Sequence, residues 1–254
     1  QLPNGYHQLQ TLFALLNWGD TLSIEAKPFA QKHSGHNYSI SIQGMDDINP
    51  QDNLIYKAID AFIIEAGFSN IAVHAYINKV VPMGTGVGGG SSDAATALLI
   101  MNEIYNHPLS KQQLMHIAGK LGADVPVFVS GKSAWAEGIG EILEPMDLPP
   151  YYYLVVSIDE HISTEEIFSH KALTMTPVQR KIADFSRLSD LHNDCLGAAI
   201  SLKSEIKKAL KHLDSTANHL DNARMTGTGC CVFVAFENEK DALVAQKQLP
   251  EHWF

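Results

Sequence analysis

The sequence predicts an α+β protein built of two domains. Segments with the two-residue period of strands are mixed with segments of helical period, without the regular alternation of a βαβ protein. The length of 254 residues suits one large domain or two small ones. Since the proline-rich residues 145–150 form the best connector, we expect one domain at residues 1–147 and another at residues 148–254.

In the first half, the pattern predicts strands at residues 11–16, 21–26, 38–43 and 71–79 and helices at residues 53–66, 94–105 and 110–121. Gly67 ends the first of these helices, and Ser110 is a candidate N-cap of the third. Residues 127–129 and 132–137 are predicted to be short extended segments.

In the second half, strands are predicted at residues 151–158 and 231–236. Helical spacing predicts helices at about residues 164–170, 177–185, 195–213 and 239–248. The two halves therefore both combine helices with strands, which is the basis of the α+β prediction.

Composition excludes several classes of protein. The net charge of −10 argues against nucleic acid or an anionic membrane as a partner. No apolar run reaches the roughly 18–20 residues of a membrane span, and no signal peptide is visible. Three cysteines without a Cys-x-x-Cys spacing predict a cytoplasmic protein with neither a disulfide framework nor a zinc site. No metal site of protein ligands is expected, and the sequence leaves monomer and homodimer open.

The most informative segment is the glycine loop, residues 84–92, which reads Gly-Thr-Gly-Val-Gly-Gly-Gly-Ser-Ser. It lies between an apolar strand and a strongly helical segment, so its backbone N–H groups and the helix dipole suit a phosphate. A Walker A loop would need a lysine where Gly90 stands, and the dinucleotide and protein-kinase patterns lack their further motifs. We expect a nucleoside triphosphate site, with a flexible linker as the alternative.

Asp124 is the strongest candidate for a catalytic residue. It lies in the segment Gly-Ala-Asp-Val-Pro-Val-Phe, residues 122–128, and a carboxylate among apolar residues is costly to bury unless it is paired or used. With a cation nearby it would orient or deprotonate a hydroxyl nucleophile, as phosphoryl transfer requires. The alternative is an aspartate that caps a neighbouring turn, and the residues alone leave both open.

A turn with aromatic residues near the amino terminus is a candidate for binding a planar base. Tyr6 and Phe13 would stack on the base, and His7 would form a hydrogen bond with its edge. The structural alternative is a surface turn that leads into a strand, with Phe13 in the core.

Three further positions have both a binding and a structural interpretation. The second glycine turn, residues 225–231, would either close on phosphates or form a tight turn before a strand, and its two cysteines are expected to be packed. Thr164 and Phe168 would line a substrate pocket, unless Thr164 is a helix N-cap. Lys79 would reach a nucleotide, unless it is a solvated lysine at the end of a strand.

Taken together, these segments resemble the GHMP small-molecule kinases, the superfamily of galactokinase, homoserine kinase and mevalonate kinase. Within it, Asn-Gly-Tyr-His followed by Gln-Thr-Leu-Phe resembles the subfamily that acts on cytidine-diphosphate-linked methylerythritol (CDP-methylerythritol), as does Gly-Ala-Asp-Val-Pro-Val-Phe. The match is carried by residues 4–13, 82–95 and 122–128 and extended by residues 136–141, 193–195 and 226–233.

The resemblance implies a two-domain GHMP-kinase fold, with an amino-terminal domain like domain 2 of ribosomal protein S5 and a ferredoxin-like carboxy-terminal domain. It implies ATP-dependent phosphorylation of the 2-hydroxyl of CDP-methylerythritol in non-mevalonate isoprenoid biosynthesis, with Mg²⁺ carried by ATP and met by Ser91 or Ser92.

By position, the resemblance makes Asp124 the catalytic carboxylate and puts Thr164 near the diphosphate or the erythritol. It assigns the cytidine pocket to Tyr6, His7, Phe13 and Phe168. It assigns the ATP site to Pro82, Met83, Gly84, Thr85, Gly86, Val87, Gly88, Gly89, Gly90, Ser91 and Ser92, with Asn53 and Lys79 near the adenosine.

The family also has a catalytic lysine in an upstream Ala-Lys-Leu-Asn stretch and a further strand after the equivalent of Phe254, so we expect both ends of this sequence to be truncated. Two other functions stay open. A sister kinase acting on homoserine or a mevalonate-type acid would need a cationic carboxylate clamp, and no basic cluster suggests one. A catalytically inactive or regulatory member of the same fold would fit the absent lysine.

Overall fold

A computed structural model describes residues 8–28, 38–45, 47–158, 162–173 and 191–253. The chain divides into two compact units: a first unit of Gln1–Met83 and Gly88–Leu148, and a second unit of Gly84–Val87 and Pro149–Phe254. The sequence places the domain boundary between residues 147 and 148, and the continuous part of the second unit begins at Pro149. The helix predicted at residues 177–185 lies outside the described residues.

The first unit combines two three-stranded sheets with helices. Its elements are β1 (Thr11–Phe13), β2 (Thr21–Pro28), β3 (Tyr38–Gln43), α1 (Leu54–Ala66), β4 (Ile71–Asn78), α2 (Gly89–Ile104), α3 (Lys111–Leu121), α4 (Val125–Ser130), β5 (Ala134–Glu137) and β6 (Ile142–Pro145). Among its described residues, one sheet has the order β1-β5-β6 and the other the order β2-β4-β3, in which β4 is antiparallel to β2 and parallel to β3.

Strand β4 is the centre of the larger core. Its odd-numbered residues are buried, whereas residues 74, 76 and 78 are exposed, which is the alternation of a strand with one face covered. The buried face shares a hydrophobic core with Phe62 of α1 and Leu98 of α2, both fully buried. Burying side chains of this size stabilises the fold by about 1.5–3 kcal/mol each, and this holds α2 and the segment before it in place.

The second unit is built around one buried strand. The described elements of this unit are β7 (Tyr152–Ser157), α5 (Thr164–Ser169), α6 (Leu196–Leu202), α7 (Glu205–Asp214), β8 (Arg224–Met225), β9 (Cys231–Phe236) and α8 (Glu239–Gln246). Strand β9 is antiparallel to both neighbours in a sheet of order β7-β9-β8, and nearly all its residues are buried. Helices α7 and α8 both contact it.

Three sequence-based predictions of secondary structure were wrong in their detail. Residues 127–129 are helical and not extended, because Pro126 lies in the first turn of α4, where proline favours a helix. The helix predicted at residues 195–213 is two helices, separated at Lys203, whose backbone is extended. The helix predicted from residue 94 begins at Gly89, inside the glycine loop.

No helix in the described ranges has the length and apolar character needed to cross a membrane.

Candidate active site

The glycine loop opens helix α2, as the sequence predicts. The N-cap is Gly88, with φ 79° and ψ 17°, and no side chain caps the first turn. The N–H of Ser92 donates to the carbonyl oxygen of Gly88 at 2.8 Å, so the N–H groups before it begin the helix without an intrahelical acceptor. Uncapped N–H groups at the positive end of a helix dipole are suited to bind an anion such as phosphate.

The end of the glycine loop lies against its neighbours more closely than a side chain would allow. A Cβ atom built on Gly89 would lie 2.9 Å from Cγ1 of Val81. A Cβ atom on Gly88 would lie 3.0 Å from Cζ of Phe128, a residue of α4. The helix that follows Asp124 therefore packs against the start of α2. A side chain at Gly89 would require Val81 to shift, and the positive φ of Gly88 favours glycine there.

Lys79 lies between two carboxylates beside the glycine loop. Its Nζ is 2.5 Å from Oδ2 of Asp20 and 2.9 Å from Oδ2 of Asp93. Burial would lower the lysine pKa, but the hydrogen bonds to Asp20 and Asp93 outweigh burial and raise it. Lys79 is thus a charged, partnered side chain at 17% exposure, and not a solvated lysine.

The two aspartates were missed by sequence reasoning. Asp93 is buried in the second turn of α2, directly after the two serines of the glycine loop. Burial raises its pKa to about 6, although the hydrogen bond and the charge of Lys79 act in the opposite direction. Burial also pushes the pKa of Asp20 upward, but Lys79 and two backbone N–H groups bring it below its usual value. Position next to the loop was the one signal that pointed to Asp93.

Asp124 is a half-buried carboxylate at the start of helix α4. It is the N-cap residue, yet its side chain caps no N–H group. Within the part of the chain that the structure describes, the Asp124 carboxylate has no hydrogen bond or ion pair. Burial raises its pKa. Because a carboxylate without a partner is costly to bury even in part, Asp124 remains a candidate for chemistry, and its side chain does not cap the helix.

The connection between β5 and β6 lies against Ala123, the residue before Asp124. A Cβ atom on Gly140 would lie 2.3 Å from the carbonyl oxygen of Ala123. In the same connection, the carbonyl oxygen of Gly138 accepts a hydrogen bond of 2.8 Å from the N–H of Leu9. Leu9 therefore approaches the neighbourhood of Asp124, and Tyr6 and His7 lie outside the described residues.

In the second unit, Gly84–Val87 packs directly on the second glycine turn. A Cβ atom on Gly86 would lie 2.9 Å from the carbonyl oxygen of Gly229. The same turn reaches helix α5, since the hydroxyls of Thr164 and Thr228 are 3.2 Å apart. The second glycine turn thus contacts two other sequence-predicted segments of this unit, the middle of the glycine loop and the start of α5.

The cysteines of the second glycine turn are packed, as the sequence predicts. Cys230 and Cys231 are 1% and 2% exposed. Burial raises the pKa of the Cys231 thiol to about 11, although hydrogen bonds with Ser157 and Thr85 oppose the shift. At neutral pH this thiol is protonated and is not a nucleophile.

The remaining predicted residues are placed as follows. Asn53 is buried and caps α1, where its Oδ1 accepts the N–H of Ile55 at 2.8 Å. Phe13 is half-buried in β1, and Phe168 is half-buried in α5. Thr164 is the first residue of α5 and is exposed, while the N-cap is Ser163, in a capping box with Glu166. The N-cap interpretation of Thr164 was therefore wrong by one residue.

Comparison with known proteins places these features in a family. Residues 53–132 match the model of the GHMP kinases N terminal domain. The chain is 50% identical over 250 residues to the 4-diphosphocytidyl-2-C-methyl-D-erythritol kinase of Ruthia magnifica subsp. Calyptogena magnifica. The aligned residues make up 98% of this chain and 85% of that protein.

Solved structures share the fold. A crystal structure of 4-(cytidine 5'-diphospho)-2C-methyl-D-erythritol kinase superposes with a TM-score of 0.74 at 29% identity, over 97% of this chain and 87% of that one. A mevalonate kinase from L. major, solved with R-mevalonate, superposes with a TM-score of 0.66 over the same shares of the two chains. Its identity is 13%, so it shows likeness of fold alone.

Proposed function

Because this chain belongs to the 4-diphosphocytidyl-2-C-methyl-D-erythritol kinases, we propose that it transfers the terminal phosphoryl group of ATP to the 2-hydroxyl of CDP-methylerythritol. This is a step of non-mevalonate isoprenoid biosynthesis. The observation that carries the proposal is the 50% identity over 98% of the chain. The glycine loop at the start of α2 and the unpaired Asp124 carboxylate supply the two functions that such a reaction needs.

The phosphates of ATP would lie on the glycine loop. The N–H groups at the start of α2 lack a side-chain cap, and Gly84, Gly86 and Gly88 all have positive φ, so backbone and not side chains faces the ligand. Asn53 and Lys79 would lie near the adenosine. In support, a Cβ atom on Gly90 would lie 3.6 Å from Leu54, which follows Asn53 at the start of α1.

Mg²⁺ is expected to arrive with ATP. The hydroxyls of Ser91 and Ser92 are half-buried in the first turn of α2, and neither forms a hydrogen bond with a described residue, so oxygen ligands suited to Mg²⁺ are available. When bound, Mg²⁺ would neutralise charge that develops on the phosphoryl oxygens. The described residues contain no group of three or more His, Cys, Asp and Glu side chains that could hold a metal.

Asp124 would act on the acceptor hydroxyl. Its carboxylate accepts or orients the hydroxyl proton while the hydroxyl oxygen bonds to the γ-phosphorus. The bond from that phosphorus to the β–γ bridging oxygen breaks, and ADP leaves. Burial raises the pKa of Asp124, which brings this base closer to neutral pH and strengthens it as a proton acceptor.

The acceptor's cytidine would be held by Tyr6, His7, Phe13 and Phe168, and its diphosphate or erythritol by Thr164. Thr164 is exposed, and its hydroxyl is 3.2 Å from that of Thr228 in the second glycine turn. Two adjacent hydroxyls at the start of α5 are suited to hydrogen-bond a phosphate or a polyol. This pair supports the role of Thr164.

The test is ADP release from Mg-ATP by the full-length protein, with CDP-methylerythritol, mevalonate and homoserine offered in parallel. Release with CDP-methylerythritol alone is the expected result. Release with mevalonate or homoserine instead would assign the protein to a sister activity. Binding of ATP without release for any acceptor would favour an inactive member of the fold.

A further inference from the structure

Asp20 uses both of its carboxylate oxygens on the segment that leads into the glycine loop. Oδ1 accepts the backbone N–H of Val80 at 2.5 Å and that of Val81 at 2.8 Å. Oδ2 lies 2.5 Å from Nζ of Lys79. The register of the sheet explains the contact, because Thr21 of β2 is paired with Asn78 of β4. Asp20 comes directly before Thr21 and Lys79 directly after Asn78, so the two residues lie side by side at the same end of the strand pair. One side chain thus holds three consecutive residues.

Lys79 extends this contact to the other side of the loop. Its Nζ donates to Oδ2 of Asp93 at 2.9 Å, and Asp93 lies in the second turn of α2, which the loop opens. The Asp20 side chain is 2% exposed and that of Asp93 6% exposed. Shielding from water strengthens the attraction between these charges and also removes their hydration, so the bridge fixes the positions of the three side chains rather than adding much stability.

We propose that Asp20 is a positioning residue for nucleotide binding: through Lys79 and Asp93 it joins the segment before the glycine loop to the helix after it. The inference rests on the proposed function, since it concerns the ATP site of that reaction. A glycine-rich segment has many conformations in the absence of ligand, and ordering it opposes binding. A bridge between its two ends reduces the conformational freedom that ATP must remove.

Replacement of Asp20 distinguishes an effect on the position of the loop from the loss of a direct contact with ATP. Lys79 is itself a candidate nucleotide contact, so its replacement would change ATP binding under either interpretation. Both oxygens of Asp20 are already used on the protein, and its side chain is covered. An effect of Asp20 on ATP would therefore pass through the loop.

The experiment measures dissociation constants for ATP and for CDP-methylerythritol by calorimetry, and KM and kcat, in the full-length protein. Asp20→Ala should weaken ATP binding about tenfold or more, leave acceptor binding and kcat within about twofold, and raise the KM for ATP. Asp20→Asn keeps an oxygen for the Val80 and Val81 N–H groups but loses the ion pair, so its loss of ATP affinity should be smaller, about threefold.

The matched control is Glu25→Ala. Glu25 lies in β2, the strand that begins directly after Asp20, and pairs with Lys27 at 2.7 Å, but both side chains are at least 60% exposed, so ATP affinity should be unchanged. The proposal is overturned if Asp20→Ala binds ATP within twofold of the wild type. It is also overturned if the variant loses affinity equally for ATP and for CDP-methylerythritol. If Asp20→Ala does not fold, Asp20→Asn decides it by the same criteria.

The outcomes also separate this inference from the proposed function. A wild-type protein that binds ATP but phosphorylates no CDP-methylerythritol contradicts the function, and the ATP affinities of the variants still decide the role of Asp20. A wild-type protein that binds no ATP contradicts both.

Discussion

The hydroxyl of Thr226 donates a hydrogen bond of 3.2 Å to the carbonyl oxygen of Gly86, 140 residues earlier in the chain. Thr226 belongs to the second glycine turn, and Gly86 lies in the middle of the glycine loop. A Cβ atom on Gly227 would lie 3.0 Å from that same carbonyl oxygen. The two glycine segments therefore pack backbone against backbone, which residues with side chains do not allow.

Gly86→Ala should weaken ATP binding about tenfold or more. Gly86 has φ 76°, and a Cβ atom there would lie 2.9 Å from the carbonyl oxygen of Gly229, so alanine would be strained and would displace the loop. Titration calorimetry with ATP measures the effect. The matched control is Gly119→Ala in helix α3, where a Cβ atom meets nothing within 4 Å. It should stabilise the fold by about 0.5–1 kcal/mol and leave ATP affinity unchanged. Normal ATP binding by Gly86→Ala would contradict the prediction.

Asp124→Asn should lower kcat by about 10²–10⁴-fold and change the KM for ATP little, because the carboxylate acts on the acceptor hydroxyl. Stability should not fall, since burial disfavours the charge of Asp124 and the described residues offer it no partner. Steady-state kinetics and urea unfolding measure both effects. Asp147→Asn, at an exposed position, is the control. A kcat close to the wild-type value would remove Asp124 from this role.

Asp93 should make the fold more stable as the pH falls from 7 towards 4. Burial raises its pKa to about 6 from the usual 3.8, so in this interval the native state binds a proton that the unfolded chain does not. The wild type should gain about 1–3 kcal/mol relative to Asp93→Asn, which does not titrate. Urea unfolding of both proteins at several pH values measures the difference. The prediction is contradicted if the free energy of unfolding of the wild type falls relative to that of Asp93→Asn over this interval.

Thr164→Val should raise the KM for the acceptor about three- to tenfold and leave the KM for ATP unchanged. Valine keeps the β-branched shape but removes the hydroxyl that faces Thr228, and one hydrogen bond contributes about 0.5–1.5 kcal/mol. Steady-state kinetics with each substrate varied in turn measures the split. Thr164→Ser retains the hydroxyl and should restore acceptor binding. An equal rise in both KM values would indicate a general structural role.

Patterns that depend on near neighbours in the chain were predicted well. The strands at residues 38–43 and 231–236 have the predicted bounds, because alternation of apolar and polar residues in the first and a short apolar run with valine and phenylalanine in the second favour a strand locally. The start of α2 inside the glycine loop was not predicted, since the low helix propensity of glycine is overridden by packing of Gly88 and Gly89 on Phe128 and Val81. Residues 127–129 were predicted to be extended, whereas Pro126 in the first turn of α4 favours the helix that the structure has there.

Short continuous segments of the chain were enough to predict that a glycine loop opens a helix, that an aspartate follows in an apolar segment, and that the chain resembles a kinase family. Each of these conclusions depends on motifs that are local in the sequence. The contacts of Lys79 with Asp20 and Asp93, and the hydrogen bond from Thr226 to Gly86, became visible in the folded structure alone. Asp20 and Lys79 are 59 positions apart, and they meet because β2 and β4 pair in one register. Strand register depends on the burial of a whole sheet face, which no local segment specifies.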